Sequence, residues 1–416
     1  MSIHRQKFGF QGNALDYNSL GQRPRSLIHK ISRLKACVIA IVKIIITQAF
    51  SLPTFLHLIP GALPQAFIFQ GVALGIFLGS MWKKPLLMVG SSLLPILVFN
   101  SCHRQNKSTS VYEGNAMTID YKIIIGSPLK RTQDRDVKKI INDTFHEVDA
   151  IYNRWNPHSE LSRLNKLKSG EKIVLTKSLE NFLKLTDEIV TLTEGRFDPT
   201  IEPLQQLWKK HLTAGTTPQQ QDIEDLMPAI GWGKIHYGEG IFYKEHDLTC
   251  LDLGGIAKGY CVDLLVERLN AMGYPHVFVE WGGEIRTSGQ HPDKRPWNIF
   301  ISRSGDPNPE NAIAILSLQD QAIATSGDYL QQWKIKDLQN DMELTYFHII
   351  NPQTGAPLIA SQDSIGSVSV LAPTCALADG LATAAMLFPS VQEAERWIEQ
   401  IKLKLNGLKF WIEKNN

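Results

Sequence analysis

Asp379 and Thr383 stand four residues apart in a stretch, Asp379 to Phe388, that reads as a helix, so both face one way. A carboxylate and a hydroxyl are hard oxygen donors. They suit Mg²⁺, which also keeps phosphate oxygens and waters in its shell. The same two residues also fit plainer roles, a charge at a helix N-terminus and a packed threonine. A second candidate is 248–272, LTCLDLGGIAKGYCVDLLVERLNAM. Leu248 to Leu253 is a short apolar run fit for a buried strand. Gly254 and Gly255 then let the backbone turn sharply and approach a ligand. Beyond them Val262, Leu265, Leu269 and Met272 recur at helical spacing, with Gly273 as the stop. A helix N-terminus after a glycine turn presents free N–H groups and suits an anion such as phosphate, and Lys258 adds a positive charge there. The stretch matches neither GxxxxGK[ST] nor GxGxxG, and a tight strand-to-helix turn without ligand is an equal reading.

These residues sit in one long mixed segment, 111–416, with no internal repeat and no low-complexity stretch. It is large for a single core, so two lobes are expected. Ala116 to Ile125 reads as a strand. Val137, Ile140, Ile141, Phe145 and Val148 mark a helix over Val137 to Ile151, and Leu179 to Leu192 repeats the pattern. Val277 to Ile285, Trp297 to Ser302, Ala312 to Leu318 and Ser364 to Leu371 read as strands, and Val391 to Leu403 as a helix. Helices and strands mix without strict βαβ alternation, which predicts an α+β fold.

The first hundred residues differ. Residues 1–35 are polar and basic. Ala36 to Phe50 and Thr54 to Ser80 are apolar, but Lys43, Pro60 and Pro64 interrupt them, so each is short or broken for a membrane span. From Met81 a complete secretory signal begins: Trp82-Lys83-Lys84, an apolar run from Pro85 to Phe99, then Asn100-Ser101-Cys102. Cysteine directly after a small residue resembles a bacterial lipoprotein signal, with Cys102 the lipidated N-terminus. A plain membrane anchor ending at Phe99 is the other reading. Both place the rest outside the cytoplasm, on the periplasmic side of the bacterial inner membrane, held by a lipid anchor or an N-terminal segment. The expected organisation is an extension, 1–80, that need not be translated; a signal, 81–102; a polar tether, 103–110; and one folded domain, 111–416. Of five cysteines, Cys250, Cys261 and Cys375 fall in that domain without metal-ligand spacing, and no disulfide framework is expected. The net charge of +2 gives no argument for a nucleic-acid partner, and none is expected.

Several stretches line up in order: GNAMTIDYKIIIG at Gly114, RWNPHSELSRLN at Arg154, GRFDPTIEPLQQLW at Gly195, LDLGGIAKGYCVD at Leu251, WGGEIRTSG at Trp281, AIATSGDY at Ala322, FHIINPQTGAP at Phe347 and ADGLATAAM at Ala378. Together they resemble the ApbE family of FAD:protein FMN transferases, over nearly all of 111–416. The resemblance implies that the chain binds FAD and Mg²⁺, splits the pyrophosphate, transfers FMN to a threonine or serine hydroxyl of a partner protein and releases AMP. The implied acceptors are flavoprotein subunits of membrane redox pumps such as the sodium-translocating quinone reductase. Some members instead hydrolyse FAD to FMN and AMP, and a non-catalytic flavin-binding lipoprotein is a third reading.

The resemblance also implies roles. It places the metal on Asp379, Thr383 and the backbone carbonyl of Gly255. Asp252, Lys258, Phe197, Asp198 and Pro199 match positions that touch FAD, and Thr200 is adjacent. Met117 matches a methionine packed on the flavin and Trp155 an aromatic near the ring, although both fit a core role equally. Ile350 falls in a cofactor-contacting stretch and is expected to act through its backbone. His348 matches the family's histidine, a plausible base for the acceptor hydroxyl, because histidine is the side chain best matched to neutral pH. A structural histidine bonded to a carbonyl is the alternative. Three positions depart from the pattern. Asn351 and Glu284 each stand where aspartate is usual, and Ala382 where relatives carry a second aspartate.

Overall fold

The computed structural model describes residues 109–415, apart from 304–305, 307, 328–331, 338–341 and 362. The expected extension and signal, and all but the end of the tether, lie outside the described residues. Among the described residues no helix is long and apolar enough to cross a membrane.

The chain opens with β1 (Ser110–Ala116), β2 (Ile119–Ile125), α1 (Arg131–Ile151), α2 (Glu160–Asn165), β3 (Ile173–Val174) and α3 (Lys177–Leu192). It continues through α4 (Glu202–Thr213), α5 (Gln220–Leu226), β4 (Ile235–Gly238), β5 (Ile241–Lys244) and α6 (Gly254–Ala271). Then come β6 (Val277–Trp281), β7 (Glu284–Ser288), β8 (Trp297–Ile301), β9 (Ala314–Leu318), β10 (Ala322–Gly327), β11 (Gln332–Asp337), β12 (Met342–Ile350) and β13 (Pro357–Ile359). The chain ends with β14 (Ile365–Ala372), α7 (Cys375–Met386), α8 (Val391–Lys404) and β15 (Lys409–Lys414).

Seven strands form the central sheet, in the order β1-β2-β6-β7-β10-β14-β15. Every pairing within it is antiparallel, which makes the fold α+β, as expected. The period-2 alternation of strand side chains explains the layers. Ile123, Ile125, Val277, Val279, Ala322, Ala324, Val370 and Ala372 point into the main core with the helices. Phe278, Ile323 and Leu371 point the other way, onto the β8–β9 hairpin with Trp297, Ile299 and Leu318. With both faces covered, every residue of β14 is buried. Helices α6 and α7 pack together and onto the middle strands of the sheet.

The described residues fall in one compact unit. The second lobe expected from chain length appears inside it as a smaller core. There Leu204, Trp208 and Leu212 of α4 meet Ile335, Tyr346 and Ile350 of the β11-β12-β13 sheet.

Four expectations need correction. Ala116 to Ile125 is no single strand: Met117 and Thr118 take φ 49° and 67° and make the two-residue turn between β1 and β2. Val277 to Ile285 likewise breaks at Gly282 and Gly283, φ 66° and 99°, into β6 and β7. These glycines serve a hairpin turn. Leu248 to Leu253 joins no sheet beyond one bridge from Cys250 to Ile201. Side chains take its peptide groups instead. Asn165 bonds both the N–H and the carbonyl of Leu251, at 2.8 and 2.9 Å, and Lys244 donates to the Thr249 carbonyl at 2.6 Å. Lastly, α6 begins at Gly254, so the two glycines are its first turn and precede no helix.

Candidate active site

The site is built where α6 crosses α7, and the crossing is close because glycines line it. A Cβ on Gly259 would lie 2.4 Å from the Cys375 carbonyl oxygen. One on Gly380 would meet Ile189 at 2.7 Å and Ile256 at 3.0 Å. One on Gly255 would meet the Phe197 ring at 2.9 Å and the Thr383 hydroxyl at 3.2 Å. Gly254 and Gly255 thus serve close approach within a helix, with no positive φ. At Gly259 the obstacle is backbone, which cannot rotate aside. Gly259→Ala is therefore expected to push α7 away and lower stability by about 2–3 kcal/mol. Chemical denaturation measures the loss, and an unchanged midpoint would contradict this packing.

Helix α7 starts at Cys375, so Asp379 lies in its second turn and is no N-terminal helix charge. The start is set from far along the chain. The two oxygens of Asp263 on α6 accept from the N–H groups of Cys375 and Ala376, at 2.8 and 2.9 Å. They satisfy orphan donors of the first turn. Arg286 of β7 donates to the same carboxylate at 2.8 Å. Asp379 and Thr383 then project from one face of α7. Asp379 is 3% exposed, and its Oδ2 accepts from the Gly259 N–H at 3.1 Å. Burial pushes its carboxyl up to about 8, against the pull of Lys258. Burial outweighs the nearby Lys258 charge, so a further positive charge at Asp379 would favour its ionised form. The Thr383 hydroxyl lies 3.2 Å from that of Ser326.

Lys258, on the second turn of α6, pairs with the wholly buried Glu284 of β7. Burial opposes the lysine charge, but the carboxylates of Glu284 and Asp379 outweigh it and hold the ammonium above its ordinary pKa. At the start of α6, Asp252 accepts from the Gly254 N–H at 2.9 Å and from Arg154 at 3.3 Å. Arg154 also bonds Glu202.

Gly255, Lys258, Asp252, Phe197, Asp198, Pro199, His348, Ile350, Asp379 and Thr383 all line one cavity of about 290 Å³. An adjoining cavity of about 260 Å³ shares Gln205, Asp252, His348 and Ile350 as walls and carries Trp155. Trp155 is 68% exposed, with the Arg154 guanidinium 4.1 Å from its ring centre, so it is no core residue. Met117 lines neither cavity. It occupies the β1–β2 turn, half-buried against the main core. The turn lies near the site all the same: a Cβ on Gly282 would meet Ile119 at 2.9 Å and the Lys258 stem at 3.6 Å.

Other side chains have structural duties. Asp198 spends one oxygen on the Thr200 N–H and hydroxyl, at 2.8 and 2.6 Å, and the other on the distant Trp232 N–H at 3.1 Å. Burial still raises its pKa. The side chain of Ile350 is buried in the second core, which leaves its backbone for any ligand. Asn351 accepts from the Gln353 N–H at 2.8 Å in a turn closed by the Gly355 N–H on the Asn351 carbonyl at 2.9 Å. That is a duty asparagine performs as well as aspartate. Ala382 is buried in the main core. Cys250, Cys261 and Cys375 are free thiols. Sequence reasoning missed Arg196, Gln205, Thr325 and Ser326 as cavity walls. The polar Thr325-Ser326 pair closing an apolar strand was the one available signal.

Comparison with known proteins gives the family and the fold. The model of the ApbE family matches residues 116–408. The FAD:protein FMN transferase of Chlamydia pneumoniae is 39% identical over 315 residues, 75% of this chain and 95% of that protein. That of Vibrio cholerae is 28% identical over 298 residues, 71% of this chain and 86% of that one. The solved flavin transferase ApbE from Vibrio cholerae superposes with a TM-score of 0.60 at 27% identity, covering 74% of this chain and 94% of that one. The chain belongs to the ApbE family. It is an enzyme of that class, a flavin transferase.

Proposed function

We propose that the protein transfers FMN from FAD to a threonine or serine hydroxyl of a partner protein, with Mg²⁺, and releases AMP. One observation carries the reading in a chain of this family. A single cavity gathers the first turn of α6, Lys258, the Asp379–Thr383 face and His348. Asp379, Thr383 and the Gly255 carbonyl would hold the Mg²⁺, which supplies positive charge at the pyrophosphate. The donors fit: Asp379 and Thr383 share one face of α7, and a Cβ on Gly255 would lie 3.2 Å from the Thr383 hydroxyl. One carboxylate with neutral oxygens leaves room for phosphate oxygens and waters, as Mg²⁺ requires.

Lys258 and the α6 amides bind and orient the pyrophosphate. His348 takes the proton of the acceptor hydroxyl as its oxygen attacks the phosphorus of the FMN half. The bond from that phosphorus to the bridging oxygen breaks, and AMP leaves with the electron pair. The adjoining aromatic cavity with Trp155 suits the flavin ring. The expected acceptors are flavoprotein subunits of a membrane redox pump, such as a sodium-translocating quinone reductase. FAD, MgCl₂ and an acceptor domain with a threonine flavinylation motif should give covalent flavin fluorescence on the acceptor. Free FMN and AMP with an unlabelled acceptor would make the protein a pyrophosphatase. Unchanged FAD would remove the catalytic reading.

The reading includes a place. Cys102 is the acylated N-terminus of the mature protein, and the catalytic domain lies on the periplasmic side of the inner membrane. The support is the signal from Met81 to Cys102. Stable anchoring needs more than one acyl chain. Mass spectrometry of the native N-terminal peptide should find acylated Cys102. Peptides from Gly12 to Arg33 in the mature protein, or membrane association that survives Cys102→Ala, would contradict it.

A further inference from the structure

Two permanently positive side chains, Lys258 and Arg196, line the central cavity among the described residues. Their situations differ. Lys258 is matched by buried Glu284. Arg196 makes no ion pair among the described residues; Glu194, two residues away, feels its charge but is bonded by Lys404 at 2.9 Å. What holds Arg196 is a ring: its guanidinium carbon lies 4.0 Å from the centre of Phe388. A guanidinium laid on a ring keeps its N–H groups directed edgewise, free for a planar pair of oxygens. Phe388 follows Leu387, which lines the cavity one helical turn beyond Thr383, a rise of about 6 Å. Arg196 therefore stands at the α7 C-terminal end of the site. Trp155 lines the neighbouring cavity, on the side of Asp252 and His348.

We propose that Arg196 binds phosphoryl oxygens of FAD at that end of the cavity, an assignment that rests on the flavin-transfer reading. The charges of the site support it. The pyrophosphate of FAD brings two negative charges. The Lys258 charge is already taken up by Glu284, and half the charge of a bound Mg²⁺ by Asp379. Arg196 supplies the remaining positive charge. Its ring support fixes the fork in place, so little side-chain freedom is lost on binding.

The test uses the full chain and flavin fluorescence quenching, with FAD and riboflavin as probes. Arg196→Gln should weaken FAD binding about tenfold or more, the scale for losing a charge-assisted bond, and leave riboflavin, which has no phosphate, unchanged. Arg196→Lys should recover part of the loss. In the transfer assay KM for FAD should rise by a similar factor while KM for the acceptor stays constant. Unaltered FAD affinity in the Gln variant would overturn the assignment. So would equal loss of riboflavin and FAD, which would mean ring stacking, or a rise in acceptor KM alone, which would mean the guanidinium reads the partner protein. If the wild type transfers no FMN, the functional reading falls, and the two binding probes still decide Arg196.

Discussion

Asp379→Ala is expected to abolish FMN transfer and to resist rescue by excess Mg²⁺. The side chain is the one carboxylate in the proposed donor set of Asp379, Thr383 and Gly255, and it lies buried beside the Gly259 N–H. Without it too few protein oxygens remain to hold an ion that parts reluctantly with its waters. The fold should survive. Burial raises the pKa of the carboxyl in the folded protein, so its charge is a cost to the fold and not a source of stability. A carboxyl raised in the folded state lends stability only at low pH, and that contribution fades as pH rises towards the folded pKa. The measurements are the transfer rate, a Mg²⁺ titration by calorimetry and the thermal midpoint. Wild-type turnover in the variant would remove Asp379 from the site.

His348→Ala should bind FAD nearly as well as the wild type yet transfer FMN at least about a hundredfold more slowly, the usual scale for losing a general base. His348 lies on β12 and lines both cavities, where an acceptor hydroxyl could meet the FMN phosphate. The companion readout is FAD affinity, measured without acceptor. Parallel loss of affinity and rate would make His348 a residue that positions the dinucleotide.

Much of the site was legible because its signals are local. Asp379 and Thr383 need only the helical repeat to share a face, and Lys258 needs only its place after two glycines. The α+β class followed from strands and helices that refuse strict alternation. Errors gathered where one residue decides a turn. Met117-Thr118 and Gly282-Gly283 each split one apparent strand into a hairpin, because two consecutive positive φ angles reverse the chain without breaking the apolar pattern around them. The apolar run from Leu248 read as a strand because nothing in it shows that Asn165, far away in sequence, and Lys244, just upstream, supply its hydrogen bonds.

The sequence by itself determined the residue types of the chemistry, the helices that carry them and, through the order of its motifs, the family. Those depend on spacing along a few turns. Only the tertiary structure decided what each residue is free to do. It committed Asp198 to Thr200 and Trp232 and Asn351 to a turn, paired Lys258 with Glu284 and laid Arg196 on a ring without an ion pair among the described residues. It also set the start of α7 through Asp263, over a hundred residues away. Charge balance and steric clearance depend on through-space distance, and a linear pattern carries no distance between segments that meet only when the chain has folded.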